Sequence, residues 1–253
     1  MDVAAISVAA ARPVRMTATL RSVGQSHTLR ADARQWEHRF VEYDNWIQSV
    51  HHFYLGDVLP ERFRKGILPD YLHNPDEPGV PVINTLSIQA LRINVADCRL
   101  ITNEAFEAIS IEQRPRADDV LLTTDGGVSI GKPVLFSFEG EFAHDSHVAI
   151  LRPSGISPAA LLYLLASPFG QVQFQRAESG ASGQTAVTED DIRRFRFPLL
   201  AADELAVLVN EVNGTLAEVD AEIRIIEGRR SHAWSSFAEG LQHDAHLVPP
   251  VAD

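Results

Sequence analysis

The feature that most constrains this 253-residue chain is a seven-residue repeat near its C-terminal end. Successive members lie alternately four and three residues apart, the period of a helix that buries one stripe against a partner helix. The repeat runs through Val212, Leu216, Val219, Ile223, Ile226, Arg230, Ala233 and Phe237, preceded by Leu205 and Leu208 and followed by Leu241. Such a helix is marginally stable alone. We therefore expect residues 201–243 to pair with another helix; packing on their own domain is the alternative.

Residues 55–200 have a different pattern, in which short β-prone runs alternate with Gly, Pro, Asn and Asp. Such residues are typical of turns between strands. The runs are GVPVINTLSI, FEAISIEQ, DVLLTTD, KPVLFSF and HVAILRP, and a shorter alternating stretch, MTATLRSV, begins at Met16.

Helical signals flank these strands. Apolar residues at three- and four-residue spacings predict an amphipathic helix over 31–53. Ser157, followed by Pro158, predicts a capped helix start, with a second helix after Pro168. Thr188 and Asp191 resemble a capping box. Strands and helices do not alternate regularly, so the sequence predicts an α+β fold, a mixed β-rich domain followed by a long coiled-coil-type helix.

These patterns divide the chain into four parts. We expect residues 1–16 to be a disordered N-terminus and residues 17–200 to be one domain that includes the 31–53 helix. Residues 201–243 form the long helix, and residues 244–253 read as a frayed tail.

Composition places the chain among soluble globular proteins, with 45% hydrophobic and 22% charged residues. The single cysteine, Cys98, excludes an intramolecular disulfide and any multi-cysteine zinc site. No stretch is long and apolar enough for a membrane helix, and Asp2 stands where a signal peptide needs positive charge. We therefore expect a cytoplasmic protein.

Charge is unevenly distributed. The chain carries a net charge of −12, of which residues 201–253 contribute ten acids and three arginines, a net of −7. The remaining residues are still acidic. Binding to DNA phosphates would therefore require the basic side chains to gather on one face.

A search for catalytic motifs gives one partial match. Gly126, Gly131 and Lys132 satisfy the start of a phosphate-binding loop, G-x-x-x-x-G-K. Pro133 then replaces the Ser or Thr that would bind magnesium and open a helix. A glycine-rich hairpin is the better interpretation.

Metal and nuclease chemistry have equally weak signals. His144, Asp145 and His147 are potential metal ligands, but a turn into the next strand explains them better. A nuclease site could be built from Asp125, Glu139, Glu141 and Lys132, although an exposed polar hairpin is the simpler interpretation. No nucleophile elbow or methyl-donor loop is present. The sequence predicts no enzyme, no metal and no cofactor.

Four segments, in order, resemble the target-recognition domain of type I restriction–modification specificity subunits. The first is LGDVLPERFRKGILPDYLHNPDEPGVPVINTLSI, similar to the opening of that domain. RADDVLLTTDGGVSIGKPVLF resembles the family's "gD-ll-x-x-G-x-iG" hairpin, on Asp119, Val120, Leu121, Gly126, Ile130, Gly131 and Lys132. HVAILRPSGISPAALLYLLASPFGQVQFQ resembles the passage from a central strand into two helices, and SGASGQTAVTEDDIRRFRFPLL the closing segment, on Gly183, Gln184, Thr185, Ile192 and Pro198.

The resemblance implies a sequence-specific DNA-recognition subunit that positions a partner methyltransferase or nuclease. Family members carry two recognition domains and two spacer helices, whereas this sequence shows one of each, so we expect a homodimer or two copies per complex. The dimer or partner helix would use Leu205, Leu208, Val212, Leu216, Val219, Ile223, Ile226 and Phe237. Double-stranded DNA would contact polar loop residues, namely Arg62, Arg64, Lys65, Thr123, Thr124, Asp125, Lys132, Arg176, Ser182, Gln184 and Thr185.

Two other functions stay open from the sequence. The same fold could serve as a protein-binding adaptor in a phage-defence complex without reading DNA. A stand-alone nuclease built on the Asp125 region is the other alternative.

Overall fold

The computed structural model describes residues 33–74, 76–89, 91–181 and 184–245. The predicted strand at MTATLRSV, the predicted disordered N-terminus and most of the predicted tail lie outside these residues. The chain divides into two compact units, a body that ends at Ala202 and a helical unit that starts at Asp203. The α+β class predicted from the sequence is confirmed.

The helices of the body are short, and the last helix of the chain is long. The α-helices are α1 (His38–Gln48), α2 (Asn103–Glu107), α3 (Pro158–Ala166), α4 (Pro168–Ala177), α5 (Glu189–Arg193) and α6 (Ala202–Ala245). Single 3-10 turns cover Ala33–Trp36, Leu55–Val58, Val95–Asp97, Ile111–Gln113 and Gly127–Ser129.

The strands are β1 (His52–Tyr54), β2 (Arg64–Lys65), β3 (Val80–Ile83), β4 (Ile88–Gln89), β5 (Arg92–Ile93), β6 (Arg99–Ile101), β7 (Val120–Thr123), β8 (Pro133–Leu135), β9 (Ala143–His144), β10 (Val148–Leu151), β11 (Ser179–Ala181), β12 (Gln184–Ala186) and β13 (Arg196–Pro198). A four-stranded antiparallel sheet has the order β2-β10-β7-β8, and a three-stranded sheet has the order β6-β3-β9, with β3 and β9 parallel. The strand pairs β1-β13, β4-β5 and β11-β12 complete the described strands.

The four-stranded sheet is covered on both faces. Val120 and Leu122 of β7 pack in a cluster with residues of α3 and α4, such as Leu161 and Phe174. The intervening Leu121 packs in a second cluster with Ile83 of β3. Two-sided burial explains why DVLLTTD is a continuous apolar run rather than an alternating one.

Local capping signals in the sequence were accurate. The Ser157 hydroxyl accepts a hydrogen bond from the Ala160 amide at 3.1 Å at the start of α3. Thr188 and Asp191 form the predicted capping box of α5. Each cap satisfies backbone amides that the first helical turn leaves without partners.

Two predictions of secondary structure were wrong. The run FEAISIEQ is not a strand, because Thr102 caps the short helix α2 and its hydroxyl accepts from the Ala105 amide at 3.1 Å. The helix predicted over 31–53 is shorter, because the chain leaves it after Gln48 and enters β1. β1 pairs with β13, a partner about 144 residues further along the chain that no local pattern reveals.

The helical unit is the single helix α6. Its 44 residues make it about 66 Å long at 1.5 Å per residue. Leu205, Leu216 and Ile223 are partly exposed. The other predicted pairing residues, Leu208, Val212, Val219, Ile226 and Phe237, are exposed. Among the described residues, no helix is both long and apolar enough to cross a bilayer.

Candidate nucleic-acid interface

The connection between β7 and β8 is a tight glycine turn, as the sequence predicted. Gly126 and Gly127 both have positive φ angles, 107° and 58°, a conformation that residues with a side chain rarely adopt. The Thr123 hydroxyl donates to the Ser129 carbonyl and accepts from the Lys132 amide at 3.0 Å. This internal bonding fixes the turn and leaves its apex at the surface.

Strand β12 lies beside this turn. The Gly126 amide donates to the Thr185 carbonyl at 3.2 Å, and the Val187 amide donates to the Thr124 carbonyl at 2.9 Å. The Thr185 hydroxyl in turn donates to the Glu178 carboxylate at 2.5 Å. The segment that resembles the closing part of a recognition domain is therefore held against the glycine hairpin.

Strand β2 reaches the same place through an ion pair. The Lys65 ammonium lies 2.5 Å from a carboxylate oxygen of Asp125, and the Thr124 hydroxyl donates to that oxygen at 2.9 Å. Gln113 donates its side-chain amide to the Lys65 carbonyl at 3.2 Å. Both the carbonyl group and the ammonium group of Lys65 are therefore held in place.

A second turn, Asn84–Ser87, lies next to the glycine turn. The Asn84 side-chain oxygen accepts from the amides of Leu86 and Ser87 at 2.8 and 3.1 Å. A Cβ placed on Gly126 would lie 3.7 Å from a methyl carbon of Thr85, so the two turns are neighbours.

We call this region the hairpin-end surface. It is defined by the turns Asn84–Ser87 and Asp125–Ser129, the strand Gln184–Ala186, and the side chains of Lys65 and Lys132. Among the described residues, Lys132 makes no ion pair, whereas Lys65 is neutralised by Asp125.

Two of the residues predicted to contact DNA lie in the interior. Thr123 and Thr124 are 0% and 1% exposed, and both hydroxyls have partners inside the body. They support the glycine turn, and their burial conflicts with the predicted contact with DNA. Their position in a sheet buried on both faces accounts for the difference.

Arg62 and Arg64 lie toward the other end of the four-stranded sheet. Arg64 pairs with Ile150, near the end of β10, so Arg62 lies beyond that end. Arg64 also forms ion pairs with Glu61 and Glu112 at 3.0 and 3.3 Å. Arg62 is exposed and has no ion-pair partner among the described residues.

The remaining predicted contacts have mixed positions. Arg176 forms an ion pair with Asp44, a residue that also pairs with Arg196, so this arginine joins α4 to α1. Gln184 pairs with Ala181 in the β11–β12 hairpin. Ser182 lies outside the described residues.

Sequence reasoning missed two surface residues. Val128, at the apex of the glycine turn, is 99% exposed. Arg194 is exposed, without an ion-pair partner in the described part of the chain. Its neighbour Arg193 donates to the carbonyls of Leu59 and Glu61, which places α5 at the Arg62 end of the sheet. The positive-φ glycines signalled an exposed apex, but nothing local located Arg194.

The residues considered as metal ligands are structural. His144 is buried, and its Nε2 atom lies 3.1 Å from the Arg64 carbonyl. Burial lowers the pKa of His144 to about 4, because the interior disfavours the charged imidazolium. Burial raises the pKa of the Asp145 carboxyl. Among the described residues, no group of three or more His, Cys, Asp and Glu side chains is arranged to hold a metal ion.

The buried imidazole predicts a pH-dependent stability. The folded pKa is about 4 and the unfolded value is 6.5, so the unfolded chain binds the proton first as pH falls. The contribution of His144 is complete above pH 6.5 and is lost toward pH 4, by about 2 kcal/mol between pH 7.5 and pH 5. The raised pKa of Asp145 acts in the opposite direction over its own lower range.

Urea unfolding at these two pH values tests this prediction. His144→Gln, which retains an amide donor for the Arg64 carbonyl, should lose most of the dependence, whereas His73→Gln on the surface should keep it. If the free energy of unfolding changes equally between the two pH values in wild type and His144→Gln, another group is responsible for the pH dependence.

The chain was compared with protein-family models, curated proteins and solved structures, and only solved structures match it. No protein-family model and no curated protein matches the chain. The S subunit of a type I restriction–modification system from M. genitalium matches 76% of this chain with 13% identity and a TM-score of 0.53. The HsdS subunit from Thermoanaerobacter tengcongensis matches 80% with 18% identity, and a type I R-M system complex matches 89% with 17% identity, at TM-scores of 0.47 and 0.48.

The chain spans about half the length of these solved structures, with 48%, 50% and 55% of each covered. The M. genitalium match covers 76% of this chain at a TM-score above 0.5. The chain has the fold of type I restriction–modification S subunits.

Proposed function

We propose that this chain is a sequence-specific DNA-recognition subunit that positions a partner methyltransferase or nuclease of a restriction–modification system, with no catalytic site of its own. The observation that supports this most is the fold shared with the M. genitalium S subunit. The ordered motifs in the sequence agree with it. Fold alone does not fix function, so the site must carry the specific claims.

The hairpin-end surface is the proposed DNA face. It combines backbone held by hydrogen bonds with polar and basic groups at the surface, which suits readout of base edges by preorganised contacts. Lys132 and Lys65 would contact phosphates, and Thr185 and Gln184 would lie beside the bases. Asp125 orients the Lys65 ammonium at 2.5 Å and thereby limits its free charge.

The stand-alone nuclease has less support. Asp125 is engaged by Lys65 and Thr124, and Glu139 and Glu141 are exposed. These carboxylates do not form a metal-binding group in the described part of the chain. The adaptor is the stronger competitor, because the chain is acidic and ion pairs already hold several basic side chains of its described part, Arg64, Lys65 and Arg176 among them.

We further propose that two copies pair through α6 and thus present two recognition domains to a two-part site. The seven-residue stripe on α6 is largely exposed in this chain. Residues 203–222 carry six acids and no Lys or Arg, whereas Arg224, Arg229 and Arg230 follow. An antiparallel pair would set the basic segment of one copy against acids of the other, whereas a parallel pair in register would place Arg230 against Arg230.

Paired charge removals at the two ends of the sheet test the DNA face. Lys65→Ala with Lys132→Ala changes the hairpin end, and Arg62→Ala with Arg194→Ala removes equal charge at the other end. The probe is a duplex selected from random sequences, titrated by fluorescence anisotropy at several salt concentrations. We expect the first pair alone to weaken binding and to flatten the salt dependence by about one to two units of slope.

Equal effects of the two pairs would mean that affinity follows net charge rather than a defined face. An effect confined to Arg62 and Arg194 would move the DNA face to the opposite end of the sheet.

A further inference from the structure

Four aliphatic side chains of the body are unusually exposed. Leu68, Leu86, Ile111 and Val128 are 72–99% exposed, whereas the next most exposed large apolar residue in the described part of the body, Leu199, is 59% exposed. A single exposed aliphatic residue is ordinary. Their grouping along the fold is what calls for an explanation.

These four residues lie on segments that meet around Lys65. Leu68 is three residues beyond Lys65 in the chain, and Ile111 belongs to the 3-10 turn whose Gln113 bonds the Lys65 carbonyl. Val128 and Leu86 occupy the two turns of the hairpin-end surface. Val128 and Leu86 therefore belong to the hairpin-end surface itself, whereas Leu68 and Ile111 lie on segments next to Lys65.

Val128 and Leu86 lie in turns that are closed by hydrogen bonds. The turn beneath Val128 is closed by the hydrogen bonds of Thr123, and its Ser129 is buried. The turn beneath Leu86 is closed by Asn84, which is itself 8% exposed. A preorganised apolar tip loses little entropy when a partner covers it.

The composition of the surface favours DNA over a protein partner. Protein interfaces depend on contiguous patches anchored by Trp, Tyr and Arg. None of the residues that define the hairpin-end surface is aromatic; arginine does not discriminate, since it is common in both protein and DNA interfaces. Instead, the surface combines the apolar Leu86 and Val128 with the polar or charged Asp125, Thr185 and Lys132. A mixture of methyl contacts and hydrogen-bonding groups is what the edge of a base pair in the major groove presents, because thymine carries a C5 methyl beside its O4 acceptor.

We propose that Val128 is a specificity-determining residue, which reads the C5 methyl of a thymine in the major groove. This inference rests on the proposed function and adds to it the kind of base at one position. Leu86, on the neighbouring turn, flanks the same contact.

Replacement of thymine by uracil tests the proposal, because uracil removes the methyl and retains pairing. The full chain is titrated with its selected duplex and with duplexes that carry one T-to-U change each. We expect at least one change to weaken wild-type binding by about fourfold, the value of one buried methyl group. Val128→Ala should bind the thymine duplex with a similar loss and should not distinguish thymine from uracil there. Leu199→Ala, on strand-flanking chain outside the surface, should behave as wild type.

The outcomes separate the two claims. Sequence-selective binding by a wild type that is indifferent to every T-to-U change, or a selected site without thymine, overturns the role of Val128 and leaves DNA recognition standing. The same holds if Val128→Ala keeps the full thymine preference. A chain that selects no sequence overturns both. Because Val128 is fully exposed, its alanine variant should unfold at the wild-type urea concentration.

Discussion

Replacing Asp119 with alanine should destabilise the body by about 3–5 kcal/mol, the usual cost of leaving one member of a buried ion pair without its partner. The Asp119 carboxylate is 2% exposed and receives two hydrogen bonds from the Arg152 guanidinium, at 2.7 and 3.0 Å. It also accepts from the Arg116 amide at 3.0 Å, which fixes the turn into β7. Urea unfolding, monitored by fluorescence, measures the loss.

Two controls separate the ion pair from general effects of the substitution. Glu139→Ala, on an exposed loop, should change stability by less than about 0.5 kcal/mol. Asp119→Ala combined with Arg152→Met removes both charges and should recover part of the loss. If Asp119→Ala costs no more than Glu139→Ala, the pair does not hold the turn. Asp119 is the aspartate of the hairpin motif, so its role in that motif is structural.

Placing two aspartates in the stripe of α6, Ile223→Asp with Ile226→Asp, should convert a two-copy assembly into a monomer. Each charge would be buried without a partner between the two α6 helices, at a combined cost of several kcal/mol. Light scattering gives the mass. Ala217→Asp with Ala221→Asp adds the same charge on the opposite face of the helix, and should leave the assembly intact.

One further substitution reports the orientation of the pair. In an antiparallel pair, Arg230 faces the acidic segment of the partner helix. Arg230→Glu would replace this attraction with repulsion, so it should weaken assembly, most clearly at low salt. In a parallel pair it would replace one like-charge contact with another and change little. A wild type that is monomeric at all concentrations, or an assembly that survives the double aspartate change, contradicts pairing through α6.

Sequence reasoning succeeded where structure is set locally. The caps at Ser157 and Thr188 act over three residues, and the period of the α6 stripe is visible without knowing its partner. The glycine hairpin followed from Pro133, which excluded a phosphate-loop helix. The fold class followed from these elements together with the order of the short strands.

The site was harder to predict because it depends on which strands meet. Arg62 and Lys65 are three residues apart, yet the pairing of β2 with β10 directs them toward opposite ends of one sheet. Thr123 and Thr124 looked like loop residues, but the sheet is covered on both faces and they are buried. The sequence does not point to Val128, because an apolar residue beside glycines gives no sign of polar chemistry. The separation of Arg62 from Lys65 and the burial of Thr123 and Thr124 both depend on contacts between distant segments.

Selection of duplex DNA from a random library by the full chain tests whether this protein recognises a DNA sequence. We expect enrichment of a defined sequence, arranged as two parts if two copies bind, with loss of enrichment when Lys65 and Lys132 are both alanine. Retention of DNA without enrichment of any sequence, or no retention at all, would contradict DNA recognition and favour the protein-binding adaptor.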